Sequence, residues 1–144
     1  MKRKKIKDPR PLRLQLLMEL YRELDMELAA LGEICNGCGT CCQFDKMDHI
    51  LYASALEREL IQTTPRPEDI NADEALIAAG KRCPFQQHTQ CHAREGRVLG
   101  CRLHFCHGPH TPHVEKLSEH YHEELKELHR RLDIDWDYRP LLPL

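Results

Sequence analysis

The sequence predicts a small, mainly α-helical domain in which a long N-terminal and a long C-terminal helix flank a loop-rich, metal-bound, cysteine-rich centre. Two stretches near the ends of the chain repeat leucine at helical spacing. All eight cysteines lie between them, where Gly and Pro recur and only short helical segments are recognisable. The length of 144 residues suits one domain with one hydrophobic core, so we treat 1–144 as a single domain.

Residues 1–10 form a basic arm, which we expect to be flexible and to aid solubility. The alternative is contact with RNA, DNA or an acidic partner, but no aromatic residues are interleaved for base stacking. The whole chain has 21 basic and 23 acidic residues and a net charge of −2. That balance gives no general attraction to nucleic acid or to a membrane surface, so neither is an expected partner.

The N-terminal segment, 11–34, carries one apolar stripe at the spacing of a helix over about residues 11–31. The members of the stripe are Leu14, Leu17, Tyr21, Leu24, Leu28 and Leu31. Gly32 stands where a helix C-terminus favours a left-handed residue. The stripe predicts either an intramolecular core or a contact with a second copy or another protein.

The centre, 35–107, contains two short helical segments. One covers about residues 49–62 and ends before a run that contains two prolines. The other begins at Asn71, a good N-cap with Glu74 three residues later, and ends near Gly80. From Lys81 onward no hydrophobic period is sustained, so something other than apolar burial must order that part, and metal ligation is the obvious candidate.

The C-terminal segment, 111–133, predicts a helix over about residues 112–132, with Thr111 as its cap and Pro112 in its first position. We predict that the tail, 134–144, packs Trp136 and Tyr138 back on the body of the domain. The apolar face of the helix consists of Val114, Leu117, Tyr121, Leu125, Leu128 and Leu132.

No apolar run approaches the roughly 20 residues of a membrane helix, and no secretory signal follows the basic start. We therefore expect a cytoplasmic protein. Thiols stay reduced in that compartment, which favours metal ligation over a disulfide framework.

The first four cysteines, Cys35, Cys38, Cys41 and Cys42, form a CxxCxxCC motif. A CxxC turn brings two sulfurs to one metal with little strain, as in zinc and iron–sulfur sites. Adjacent cysteines seldom ligate the same ion, so Cys41 and Cys42 suggest two sites or a thiol with another role.

The second four are Cys83, Cys91, Cys101 and Cys106, which are separated by wide gaps. We expect each metal to take ligands from both groups of cysteines. The metal is zinc or iron, and a 4Fe-4S cluster is one form that the iron can take, because thiolates suit them all.

This pattern resembles the YkgJ-type cysteine cluster family, a zinc- or iron-chelating CxxCxxCC domain. The resemblance covers about residues 35–106 and includes Cys83-Pro84-Phe85 and the Glu95, Arg97, Cys101 and Arg102 pattern. It implies metal binding through the eight cysteine positions. The sequence departs from the family after Cys91 and after Arg97, where the loop between the cysteines can have a different shape.

Other residues are weaker candidates. His104, His107 and His110 lie beside Cys106, with His113 close by, and each can be a metal ligand or a solvated side chain. His120, His122 and His129 are expected on the surface of the last helix. Arg97 and Arg102 can offset thiolate charge near the metal or be ordinary surface arginines.

No Ser-His-Asp arrangement and no glycine-rich phosphate loop is recognisable, so the sequence favours a metal-binding protein over an enzyme. Two alternatives stay open: an iron–sulfur component of a redox or radical enzyme, and a thiol-redox protein without a metal.

Overall fold

The computed structural model describes residues 9–32, 50–65, 74–87, 90–91, 93–103 and 112–142. This part of the chain is mainly helical, as the sequence predicts. The helices are α1 (Leu12–Ala30), α2 (Ala55–Gln62), α3 (Glu74–Ala78), α4 (Leu99–Leu103) and α5 (Pro112–Arg131). A single 3₁₀ turn, Arg94–Gly96, precedes α4. None of the described helices combines the length and the apolarity needed to cross a membrane.

In the described part of the chain, four short strands form two antiparallel pairs. The strand β1 (Tyr52–Ala53) pairs with β4 (Arg139–Pro140), which joins the beginning of α2 to the C-terminal tail. The strand β2 (Gln86–Gln87) pairs with β3 (Gln90–Cys91) in a hairpin. Each strand is two residues long, so these pairs fix local register and bury little surface.

The apolar stripe of α1 lies inside the molecule from Leu14 to Leu28. It packs against α5 and α2, which confirms the prediction of an intramolecular core. Leu31, the last predicted member, is 44% exposed because the helix has already ended. Gly32 has a φ of +76°, so the chain leaves α1 through the predicted left-handed glycine.

The long helix α5 has the predicted bounds to within one residue, and Val114, Tyr121, Leu125 and Leu128 are buried. Leu117 and Leu132 pack against the same core from its edge. The hydroxyl of Tyr121 donates a hydrogen bond to the carboxylate of Glu27, which places the first half of α5 beside the last turns of α1.

The helix α2 begins six residues later than the sequence predicts. Ser54 caps it in a capping box with Glu57, and the two residues before the cap form β1 instead of a helical turn. The sheet partner of Ala53 is Arg139, which lies 86 residues away, so local sequence does not reveal it. The short helix α3 is followed by Gly80 with a φ of +73°, as predicted, whereas its proposed cap Asn71 lies outside the described residues.

Two groups of buried side chains make up the interior. The first, which we call the leucine core, lies among α1, α2, α4 and α5. The second, which we call the cysteine-side cluster, lies among β1, β2, the 3₁₀ turn and the tail. The buried members of the second are Ala53, Ile61, Cys83, Phe85, Ala93, Val98 and Leu141.

The C-terminal tail folds back on α5, as predicted. Trp136 packs against the leucine core and stacks on Tyr138 with a centroid distance of 5.2 Å. His122 meets both rings edge to face. The tail therefore closes one side of α5 and brings β4 to β1.

Candidate metal centre

The three described cysteines belong to one place in the fold. Cys83 is a buried member of the cysteine-side cluster, and Cys91 and Cys101 are partly buried and pack against it. Each comes from a different element: the turn before β2, the strand β3, and the helix α4. Cys35, Cys38, Cys41, Cys42 and Cys106 lie outside the described residues.

The β2–β3 hairpin brings Cys91 toward Cys83. Gln86 lies directly opposite Cys91 in the hairpin. The backbone N–H of Gln86 donates to the backbone carbonyl oxygen of Cys83 at 3.5 Å. Pro84 is buried and fixes the backbone immediately after Cys83. The hairpin thus places two cysteines that are eight residues apart against the same apolar cluster.

The helix α4 presents Cys101 from a different direction. Leu99 and Leu103 lie one turn apart and enter the leucine core, while Cys101, between them in sequence, packs against the cysteine-side cluster. Gly100 lies so close to Leu51 that a Cβ at this position would be 2.8 Å from the Leu51 Cδ2 atom. The glycine therefore lets α4 approach the segment before β1.

A buried carboxylate holds the first residue of α4. Glu57 is 1% exposed, and its Oε1 atom accepts the N–H of Leu99 at 2.6 Å and the hydroxyl hydrogen of Tyr21. Its Oε2 atom accepts the N–H of Ser54 at 2.8 Å. Burial, followed by the nearby Glu57 carboxylate, raises the pKa of Tyr21 well above its usual value. One side chain thus joins α1, α2 and α4.

Sequence reasoning missed the role of Glu57. Ser54 and Glu57 have the spacing of a capping box, so the local half of the role was recognisable from that signal. The contacts with Tyr21 and Leu99 join residues that are 36 and 42 positions away, and no local pattern encodes them.

Arg102 is buried, so the alternative of an ordinary surface arginine is wrong for this residue. Its guanidinium pairs with Asp25 at 2.6 Å and lies 4.5 Å from the centre of the Tyr21 ring. Arg97 is half-buried, and its Nε donates to the carbonyl oxygen of Arg94 at 3.2 Å. Both arginines therefore act on the segment between Cys91 and Cys101.

The candidate histidines differ in where the structure places them. His104, His107 and His110 lie outside the described residues, and His113 and His120 are exposed. His122 is half-buried in the aromatic group of the tail.

His129 is buried, so the expectation that it lies on the surface is wrong. Its Nδ1 lies 2.9 Å from the carbonyl oxygen of Leu125, and its Nε2 lies 3.4 Å from the amide nitrogen of Leu56. These contacts assign the hydrogen to Nδ1 and make the ring a cap for the first turn of α2.

Two of the predicted ligands stand three residues beyond described segments in the sequence. Cys35 follows Gly32 by three residues and Cys106 follows Leu103 by three residues. The last two turns of α1, which precede Cys35, contact α4 through Asp25 and α5 through Glu27.

Within the described ranges, no group of three or more Cys, His, Asp or Glu side chains is arranged to hold a metal ion. Cys83, Cys91 and Cys101 share a cluster but do not form a ligand set by themselves. A site that uses them must include ligands from outside the described residues.

No protein-family model, curated protein or solved structure matches the chain. The resemblance to the YkgJ-type family thus stays a prediction that rests on the cysteine motif.

Proposed function

We propose that this chain is a metal-binding protein whose eight cysteines hold zinc or iron, including iron in a 4Fe-4S cluster. One observation carries the proposal: Cys83, Cys91 and Cys101 come from three different elements and pack against the same small cluster. Thiols spread over 19 residues of sequence are thereby brought to one part of the fold, as a shared metal site would require.

The short elements of this region support the proposal. Apart from Ile61 of α2, the buried members of the cysteine-side cluster come from two-residue strands, turns and the tail. Strands this short are marginally stable by themselves. Thiolate–metal bonds would add to the apolar contacts of the cluster and stabilise the region further, as they do in small zinc domains.

Under this proposal, each metal ion has ligands from more than one segment of the chain. Because the described residues alone provide no group of metal ligands, each ion would take some sulfurs from Cys83, Cys91 and Cys101 and others from 35–42 and Cys106. A tetrahedral zinc site needs four ligands, so eight cysteines suffice for two ions. The thiols must stay reduced, which fits a cytoplasmic location.

The first test is metal analysis of protein purified without oxygen. Stoichiometric zinc in colourless protein, or iron in brown protein, would support the proposal and identify the metal. Brown protein with iron and acid-labile sulfide would favour the iron–sulfur alternative. Protein without metal whose thiol count changes with oxidant would contradict the proposal and favour a thiol-redox role.

The second test asks whether the described cysteines are ligands. Cys83→Ser should lower the metal content per chain, because a neutral hydroxyl is a poor substitute for a thiolate. Ala93→Ser is a matched control, since it introduces the same hydroxyl at a buried position of the same cluster without removing a thiol. Wild-type metal content in Cys83→Ser would remove Cys83 from the ligand list.

A further inference from the structure

The segment between Cys91 and Cys101 is held by a single buried guanidinium. The side chain of Arg102 is 3% exposed. Its Nη2 donates to the carbonyl oxygen of Glu95 at 2.5 Å and its Nε donates to the carbonyl oxygen of Arg97 at 2.9 Å. Its Nη1 donates to the carboxylate of Asp25 on α1 at 2.6 Å.

We propose that Arg102 is a positioning residue that fixes the 94–97 turn to α1 and thereby sets the separation and orientation of Cys91 and Cys101. The inference rests on the proposed metal site, and it names a side chain outside the cysteines on which metal affinity depends. Arg102 acts here through hydrogen-bond geometry, whereas the sequence suggested only an offset of thiolate charge.

The geometry requires a forked donor. The three acceptors are reached through three different nitrogen atoms of one planar group. Lysine keeps the positive charge but has a single nitrogen, so it cannot reproduce this arrangement. Replacement by lysine therefore separates the effect of shape from the effect of charge.

The turn has close packing on its other side as well. A Cβ on Gly96 would lie 3.6 Å from the Cα of Ile61 and 3.3 Å from the hydroxyl oxygen of Thr64. The turn is thus in contact with the end of α2, while its carbonyl oxygens bond with Arg102. Without the guanidinium, those carbonyl oxygens would lose their buried donors, and the turn would shift to hydrate them.

The experiment compares Arg102→Lys with Arg94→Lys, in which an exposed arginine of the same turn is changed in the same way. The first readout is hydrogen–deuterium exchange of amides 94–101 in metal-free protein. The second is affinity for Zn²⁺ alone, measured by competition with a chromogenic chelator.

In Arg102→Lys we expect exchange to become about tenfold faster, since the loss of one or two charge-assisted bonds corresponds to at least that factor. We expect Zn²⁺ affinity to fall about 10- to 100-fold, as it does when the partners that orient metal ligands are removed. Arg94→Lys should match the wild-type protein in both readouts.

Unchanged exchange in Arg102→Lys would overturn the positioning role. Faster exchange with Zn²⁺ affinity within twofold of wild type would overturn the link to the metal. Wild-type values in both readouts, which a role through charge alone predicts, would overturn both parts of the proposal.

Should Arg102→Lys fail to fold, Asp25→Ala releases only the anchor to α1, at a carboxylate that is 46% exposed. It should weaken Zn²⁺ binding and speed up exchange by about two- to fivefold, and wild-type values would overturn the proposal. Wild-type protein that binds no metal refutes the proposed function, and the exchange experiment then still decides whether Arg102 holds the turn.

Discussion

The leucine core and the cysteine-side cluster are two differently built interiors in one small protein. The leucine core takes its side chains mainly from α1 and α5, two helices of 19 and 20 residues. Apart from Ile61 of α2, the buried members of the cysteine-side cluster come from strands of two residues, from turns and from the tail. Apolar periodicity along two helices specifies the first interior, whereas the second forms only where short segments from separate parts of the sequence meet.

Two buried polar side chains connect these interiors. Glu57 lies in the first turn of α2 and bonds with Tyr21 of α1 and with the first residue of α4. Arg102 lies in α4 and bonds with α1 and with the turn after Cys91. These bonds hold α4, the helix that carries Cys101, against the helices of the leucine core.

The largest expected effect tests the contrast directly. Leu24→Ala removes a fully buried side chain from the leucine core and should lower the free energy of unfolding by about 2–5 kcal/mol. Val98→Ala in the cysteine-side cluster removes two methyl groups and should cost roughly 1–2 kcal/mol. Chemical denaturation of metal-free protein measures both. Equal losses would mean that the two interiors contribute alike.

The next effect concerns the connection through Glu57. In Glu57→Gln, the NH₂ group of the new amide must face a hydrogen-bond donor that a carboxylate oxygen of Glu57 accepts in the wild-type protein. This substitution should lower the free energy of unfolding by about 2–3 kcal/mol. Glu59→Gln is the matched control, because Glu59 lies on the same helix and pairs with the exposed Arg13. Its loss should be below about 1 kcal/mol. Similar midpoints of thermal unfolding for the two variants would argue against a special role for Glu57.

A smaller effect is expected where α1 ends and the chain continues toward Cys35. Gly32→Ala places a Cβ on a residue with a φ of +76° and should destabilise the protein by about 1 kcal/mol. Among the described residues, no heavy atom lies within 4 Å of that Cβ position, so the expected cost is conformational. Gly32→Asn should cost less, since asparagine tolerates this conformation better. A greater loss in the asparagine variant would contradict this explanation.

The smallest effect at neutral pH is expected for Tyr121→Phe, at below about 1 kcal/mol, because the partner Glu27 is exposed. Burial, followed by the hydrogen bond to Glu27, raises the pKa of Tyr121 above its ordinary value. The folded state therefore favours the protonated phenol, and this stabilisation is lost as the pH rises above about 10, where the unfolded tyrosine ionises.

Denaturation at several alkaline pH values measures this dependence. Stability should fall less steeply with rising pH in Tyr121→Phe than in the wild-type protein. Parallel profiles for the two proteins would show that the Tyr121 phenol does not contribute to alkaline unfolding.

Much of the helical framework was predictable from local sequence. Leucine spacing gave α1 and α5 with their buried faces, and Gly32 and Gly80 gave two helix ends, because each of these signals lies within a few residues. The beginning of α2 was not predictable in the same way, since β1 exists only through its pairing with Arg139 and Pro140. His129 was predicted on the surface, but its ring is buried by contacts with Leu56 of α2 and Trp136 of the tail, which local sequence does not reveal.

The sequence by itself determined that two amphipathic helices form and that eight thiols, four of them in a CxxCxxCC motif, lie between them. Only the tertiary structure decided that Cys83, Cys91 and Cys101 share one cluster, and that Glu57 and Arg102 hold the helix beside it. The physical reason is the separation in sequence between the residues that are in contact. A helical stripe is set by neighbours three and four residues away, whereas those contacts join residues that are 7 to 77 positions apart, and only the packed chain brings them together.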